Sequence, residues 1–293
     1  MPGSDSHQSP SAKPRTALQA YWDRVAHAYA AADPLAAVCY PGAPAWLNRF
    51  IAGLQWRAVT GALARVPIAA QTALDVGCGF GRWAMWLAGQ GAQVVGVDAT
   101  AAMLEVARSA SPGIDFRQMS ATALAFPDAS FDLVVCITVI QHLQPAEQLV
   151  AISELCRVAR PGGHVVVLDL IDPLDTGKVV HPRPPQAWID GYARCGAELV
   201  RWRGQEYVPL LRAFRWLAEA AARLVGIDGS GTQTEGPSML ERTRAGGIFR
   251  LAYAALWAAV QLSRPLEPIC EHLLPDRWAR HGCFVFRKSR DAE

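Results

Sequence analysis

The sequence predicts an α/β protein built on a doubly wound, mostly parallel sheet. Three observations carry that class. Short apolar runs alternate with segments of helical period through the middle of the chain. The first run breaks at once into a glycine turn and a helix start, ALDVGCGFGRW from Ala73 to Trp83. The second, VVGVD, ends in an acid, Asp98. Seven strands are expected in one sheet, with helices before the first strand and a helical insertion before the last.

The glycine turn opens with Asp75 inside an apolar run, then Gly77, Gly79 and Gly81. Glycine adopts backbone conformations closed to other residues and lets a ligand lie against bare peptide. The helix that follows offers unpaired N–H groups at its start. A dinucleotide fingerprint needs G-x-G-x-x-G, whereas here the third glycine comes one residue early and Arg82 stands where it should be. The spacing disfavours NAD. Asp98, after one helix and one strand, is placed to accept two hydrogen bonds from vicinal ribose hydroxyls. Capping of the helix from Ala101 to Ala110 is its plainer role.

Length and composition set bounds. The 293 residues, 51% of them apolar, suffice for one large domain with a substantial core. A net charge of +2, from 28 basic and 26 acidic residues, gives no electrostatic reason to expect nucleic acid. The seven cysteines (39, 78, 136, 156, 195, 270, 283) form no C-x-x-C pair, which points to a reduced, cytoplasmic setting without structural zinc. Residues 1–15, rich in Ser and Pro, read as a flexible tail. The longest apolar stretch, Leu251 to Leu262, is too short to span a bilayer.

Residues 16–293 are expected to form a single domain: a helical cover over 16–68, a core over 69–207, an insertion over 208–277, and a final strand with its tail over 278–293. In the cover, residues 16–32 have helical period through Tyr21, Trp22, Val25 and Tyr29, and Trp46 to Val66 is a second helix. Trp22 reads as plain core packing. Strands follow at Gln93–Val97, Ile114–Met119, Phe131–Ile137, His164–Leu170, Ala197–Trp202 and Gly282–Arg287, with helices from Pro145 and over Trp188 to Cys195. The insertion holds an amphipathic stripe (Leu210, Phe214, Leu217, Ala221, Leu224), a Gly/Ser/Thr-rich segment from Gly226 to Gly236, and a helix from Ile248 to Leu262. A lid or pocket wall is one reading of it, and a homodimer interface or a membrane-surface helix the others.

Five ordered segments resemble one family. They are W-D-x-x-A-x-x-Y ending at Tyr29, the D-x-G-x-G-x-G turn, the VVGVD strand, the block from Ser120 through FPDASFDLVV, and RVARPGG before the fifth strand. Together they resemble class I S-adenosylmethionine (SAM) methyltransferases of the UbiE-like, small-molecule group. The resemblance implies a Rossmann-like fold and SAM as cofactor. It implies a cofactor site of Tyr29, Asp75, Gly77, Cys78, Gly79, Gly81, Asp98, Ala99, Ser120, Ala121, Thr122 and Ile137, with no metal. The family often has Asp where this chain has Ser120, so adenine contacts fall to the Ala121 and Thr122 backbone or the Ser120 hydroxyl.

Methyl transfer from a sulfonium depends mainly on positioning. A base is needed only when the acceptor must lose a proton. The resemblance points to His142 as that base and Asp169 as its support. The alternative is that His142 orders its loop and Asp169 caps or pairs. His181 and His281 read as structural. The [D/N]-P-P-[F/Y/W] segment of base-directed amino-methyltransferases is absent after strand four, where Thr138 to Gln141 stand, and no Pro-Cys nucleophile occurs. The expected partner is a small-molecule acceptor, methylated at a hydroxyl of a sugar, natural product or quinone-like compound. N- or C-methylation, a macromolecular acceptor and a non-catalytic scaffold are the rivals.

Overall fold

The computed structural model describes residues 17–30, 33–41, 43–173, 180–207 and 247–290. The cover comprises α1 (Ala17–Val25), a π-helical turn (Ala26–Ala30), α2 (Pro34–Val38) and α3 (Ala45–Leu63). The core runs β1 (Thr72–Val76), α4 (Arg82–Gly89), β2 (Gln93–Asp98), α5 (Ala101–Ala110), β3 (Asp115–Gln118), β4 (Phe131–Ile137), a 3-10 turn (Ile140–His142), α6 (Pro145–Val158), β5 (Ala159–Leu170), α7 (Pro185–Arg194) and β6 (Ala197–Gln205). A long α8 (Gly247–Leu273), a second 3-10 turn (Asp276–Trp278) and β7 (His281–Lys288) follow.

The seven strands lie in the order β3-β2-β1-β4-β5-β7-β6. All neighbouring pairs are parallel except those made by β7, which runs antiparallel between β5 and β6. Strand alternation sorts side chains to two faces. Val134, Cys136, Val165, Val167 and Phe284 pack with α6 and α7 through Ile152, Trp188 and Tyr192. Leu133, Val135, Val166, Leu168, Cys283 and Val285 pack with α3 and α4 through Val59, Leu63, Trp83 and Leu87. The carboxyl ends of β1, β2, β4, β5 and β6 share one edge with the amino end of β7, the edge at which doubly wound sheets bind ligands.

Three elements depart from the sequence reading. The first helix loosens into a π turn after Val25, where the His27 ring Nδ1 bonds the Asp23 carbonyl at 2.6 Å. β5 starts at Ala159 and not at His164: Ala159 pairs with Phe131, and Arg160–Gly163 form a bulge with Gly162 at φ +78°. α8 continues past Pro265 and Pro268 to Leu273, where the prolines predict a stop near Leu262. Burial of Leu256 and Val260 against α3, and the acceptance of the Tyr207 amide by the buried Glu267, hold the helix through the prolines. The stripe from Leu210 to Leu224 and the Gly226–Gly236 segment lie outside the described residues, as does the 1–15 tail, so the lid and homodimer readings rest on α8 alone. No helix among the described residues is long and apolar enough to cross a membrane.

Candidate active site

β1 delivers Asp75 to the carboxyl edge, and all three glycines of the turn take left-handed φ: +69° at Gly77, +55° at Gly79 and +85° at Gly81. A Cβ on Gly77 would overlap the Val139 side chain, and one on Gly79 would meet Val38 at 3.0 Å. The bare turn is thus walled by α2 on one side and the loop after β4 on the other. The Gly77 and Cys78 amides are tied to the Val97 carbonyl at 2.8 and 2.9 Å. Cys78 contributes backbone only, since its thiol is buried with Leu104, Ala107 and Phe116.

Two acids brace the turn. Asp75 is buried and its Oδ2 accepts the Ala84 amide at 2.9 Å, capping α4 from the strand below. Burial pushes its carboxyl up to about 7. Asp98 accepts the Gly79 amide at Oδ2 (2.9 Å) and the Thr100 amide at Oδ1 (2.8 Å). The Thr100 hydroxyl and the Ala99 amide also bond this carboxylate, so its lone pairs are largely taken within the protein. A vicinal diol would bind by taking the place of the Thr100 hydroxyl on this carboxylate. The Asp98 side chain does not cap α5 directly, because Thr100 is the residue at the cap.

The other predicted cofactor residues line the same edge. Ala99 follows Asp98, and its carbonyl is held by the Gln118 side chain at 2.9 Å. The Ser120 hydroxyl meets the Thr122 hydroxyl at 2.8 Å and accepts the Thr122 amide, so this segment is folded on itself with the Ala121 side chain in the core. Ile137 ends β4 in the core, and Thr138 beyond it adopts φ +57° with its amide on the Leu168 carbonyl. A β-branched residue in that region is strained, a feature concentrated at functional sites. Tyr29, on the π turn, packs with Val25, Ala37 and Met103 over the start of α5.

His142 sits half-buried on the 3-10 turn after β4. Its imidazole meets the Trp22 indole edge-on, with centroids 4.9 Å apart at 79°. Trp22 packs on the Val25, Ala26, Ala37 and Met103 cluster as expected, and the same side chain also carries the cover onto the candidate base. Asp169 is fully buried, and its Oδ1 accepts the Gln141 amide at 3.2 Å. Burial holds its carboxyl well above the ordinary range. Gln141 stands between the expected partners, with Oε1 on the Leu170 amide (2.9 Å) and Nε2 beside His142 Nε2 (3.4 Å). Asp169 therefore acts on the backbone of the turn, as a positioning residue.

The sequence reading missed Trp22, Thr138 and Gln141, along with a closed polar cluster at the β6–β7 end. There the buried Glu206 accepts Arg280 Nη1 (2.8 Å) and Tyr40 Oη (3.3 Å), with His281 Nδ1 at 2.8 Å. This agrees with a structural His281. His181 also serves the frame, with its amide on the Gln141 carbonyl at 2.7 Å.

Residues 74–167 match the Methyltransferase domain family. The chain is 37% identical over 120 residues to the demethylmenaquinone methyltransferase of Renibacterium salmoninarum, a match covering 41% of this chain and 49% of that protein. The chain thus spans about half the length of that relative. It is 31% identical over 180 residues to the ubiquinone biosynthesis O-methyltransferase of Hahella chejuensis, covering 52% of this chain and 73% of the relative. The chain belongs to the class I SAM-dependent methyltransferases. The magnesium protoporphyrin IX methyltransferase of Synechocystis, solved with bound S-adenosylhomocysteine, shares the fold at a TM-score of 0.53 and 18% identity, over 64% of this chain and 92% of that one. S-adenosylmethionine is the cofactor of this methyltransferase family. The bare left-handed turn and the acid at the end of β2 fit its nucleoside.

Proposed function

We propose that this methyltransferase acts on a hydroxyl oxygen of a small, partly apolar acceptor, with a quinone-like ring ahead of a sugar or other natural product, in the cytoplasm. The observation that carries the reading is the His142 imidazole at the carboxyl edge, set against Trp22 and backed by Gln141. The names of the two relatives, one a quinone-pathway O-methyltransferase, support the acceptor class. SAM, when bound, supplies a methyl group on a sulfonium ready for in-line displacement. The protein's part is to hold the acceptor oxygen in line and remove its proton. The Leu170 amide fixes the Gln141 carboxamide so that its N–H faces His142 Nε2. That contact occupies the one lone pair of Nε2 in the neutral ring and orients the imidazole, so the acceptor hydroxyl must displace the Gln141 N–H for Nε2 to take its proton.

The test is an assay with labelled SAM across a panel of catechols, quinols and sugars, with the methylated atom assigned on the product. O-methylation of a ring hydroxyl, lowered ~10²–10⁴-fold in kcat by His142→Ala, is the expected result. Activity essentially unchanged in that variant removes the base. Methyl found on carbon or nitrogen replaces the oxygen reading.

A further inference from the structure

Arg82 is the first residue of α4, directly after Gly81, and its side chain runs toward the cover. Nη2 donates to Gln55 Oε1 at 2.8 Å, and the guanidinium lies 4.7 Å over the Trp83 ring. Nε is buried and has no hydrogen-bond partner among the described residues. Burial pulls the guanidinium down from its ordinary value. Among the described residues Arg82 forms no ion pair, whereas Arg157, Arg160 and the buried Arg280 each have a carboxylate within 2.8 Å. Its other polar neighbour, the Cys39 thiol, is pushed up to about 11 and is neutral. The acid whose field reaches it, Asp75, is itself near 7 and is committed to the Ala84 amide.

A guanidinium buried without an anion is unfavourable unless an anion arrives. The location suits one. Arg82 adjoins the positive end of α4, where negative charge is favoured, and lies between the glycine turn and the Val38–Cys39 segment. Asp98 takes the opposite flank of the turn through the Gly79 amide.

We propose that Arg82 receives the carboxylate at the methionine end of the cofactor, completing as an ion pair only when the cofactor is bound. The proposal rests on SAM being the cofactor. The planar fork retains donors for a carboxylate while Nη2 stays on Gln55, so one side chain joins cofactor to cover.

The experiment is calorimetric titration of the full chain with SAM and with decarboxylated SAM, which keeps the sulfonium, amine and nucleoside. The wild type is expected to prefer SAM roughly ten- to hundredfold. In Arg82→Met that preference falls to about one, with affinity for the decarboxylated compound unchanged. Arg82→Lys, which keeps the charge and loses the fork, gives an intermediate preference and covers the case in which Arg82→Met does not fold. A wild type that binds both compounds equally overturns the proposal, as does a preference that survives at its full wild-type size in either variant. Folded wild type that binds neither compound overturns the cofactor assignment and this proposal together.

Discussion

The Trp22 indole and the His142 imidazole meet edge to face, their ring centroids 4.9 Å apart. One belongs to the first helix of the cover and the other to the loop after the central strand β4. Such pairs contribute about 0.5–1.5 kcal/mol beyond burial. Trp22→Ala is expected to lower kcat/KM about tenfold and to broaden or shift the pH–rate profile, while Trp22→Phe retains most of both. A profile identical to wild type in Trp22→Ala would show that the contact only packs the cover.

Asp98 joins the glycine turn to the end of β2 through the Gly79 and Thr100 amides. Asp98→Ala should weaken SAM binding by ~1–3 kcal/mol in a titration, with Asp98→Asn in between. An unchanged dissociation constant refutes the ribose assignment.

Asp75 links stability to pH in the direction opposite to an ion-paired acid. Burial raises its carboxyl from 3.8 to about 7. Between those values the folded protein holds a proton that the unfolded chain has released, so this group's contribution is fully present below pH 4 and is lost as pH rises toward 7. The loss is on the order of 4 kcal/mol at most, from ~1.4 kcal/mol per unit. Denaturant melts from pH 4 to 7 should show the decline in wild type and a flatter profile in Asp75→Asn, whose carboxamide oxygen still accepts the Ala84 amide. Parallel profiles would place the titration elsewhere.

Cys195 should be the most reactive thiol at neutral pH. It is half-buried, and a hydrogen bond from Cys156, aided by Lys288 and Arg194, lowers it to about 6. The other six thiols are all raised, chiefly by burial and, for Cys156, by that same hydrogen bond. Timed alkylation at pH 7 read by peptide mass spectrometry is expected to mark Cys195 first. Earlier labelling of Cys39 or Cys270 contradicts it.

The residues legible in the sequence are those whose chemistry is local. Gly77, Gly79 and Gly81 are readable because left-handed backbone leaves few residue choices, and Asp98 because a strand end fixes its position. Trp22 and Gln141 were hidden because each acts through a partner on another element, and no local pattern encodes such a contact. The span of α8 was misread for a related reason: two prolines argue locally for a stop, and packing against α3 together with the Glu267–Tyr207 bond overrides them. Asp169 was placed correctly at the sheet edge, but only the folded chain reveals that it acts on the backbone of Gln141.

Among the described residues β6 pairs with no strand but β7, and the whole insertion separates the two in the chain. On a ribosome adding ~5–20 residues per second, the strand ending at Gln205 waits roughly 4–15 s before His281 to Lys288 exist to receive it. The glycine turn, β2 and β4 can assemble during that wait. The β6–β7 half of the ligand edge is therefore the last to form in a newborn chain, after the cofactor half can already exist.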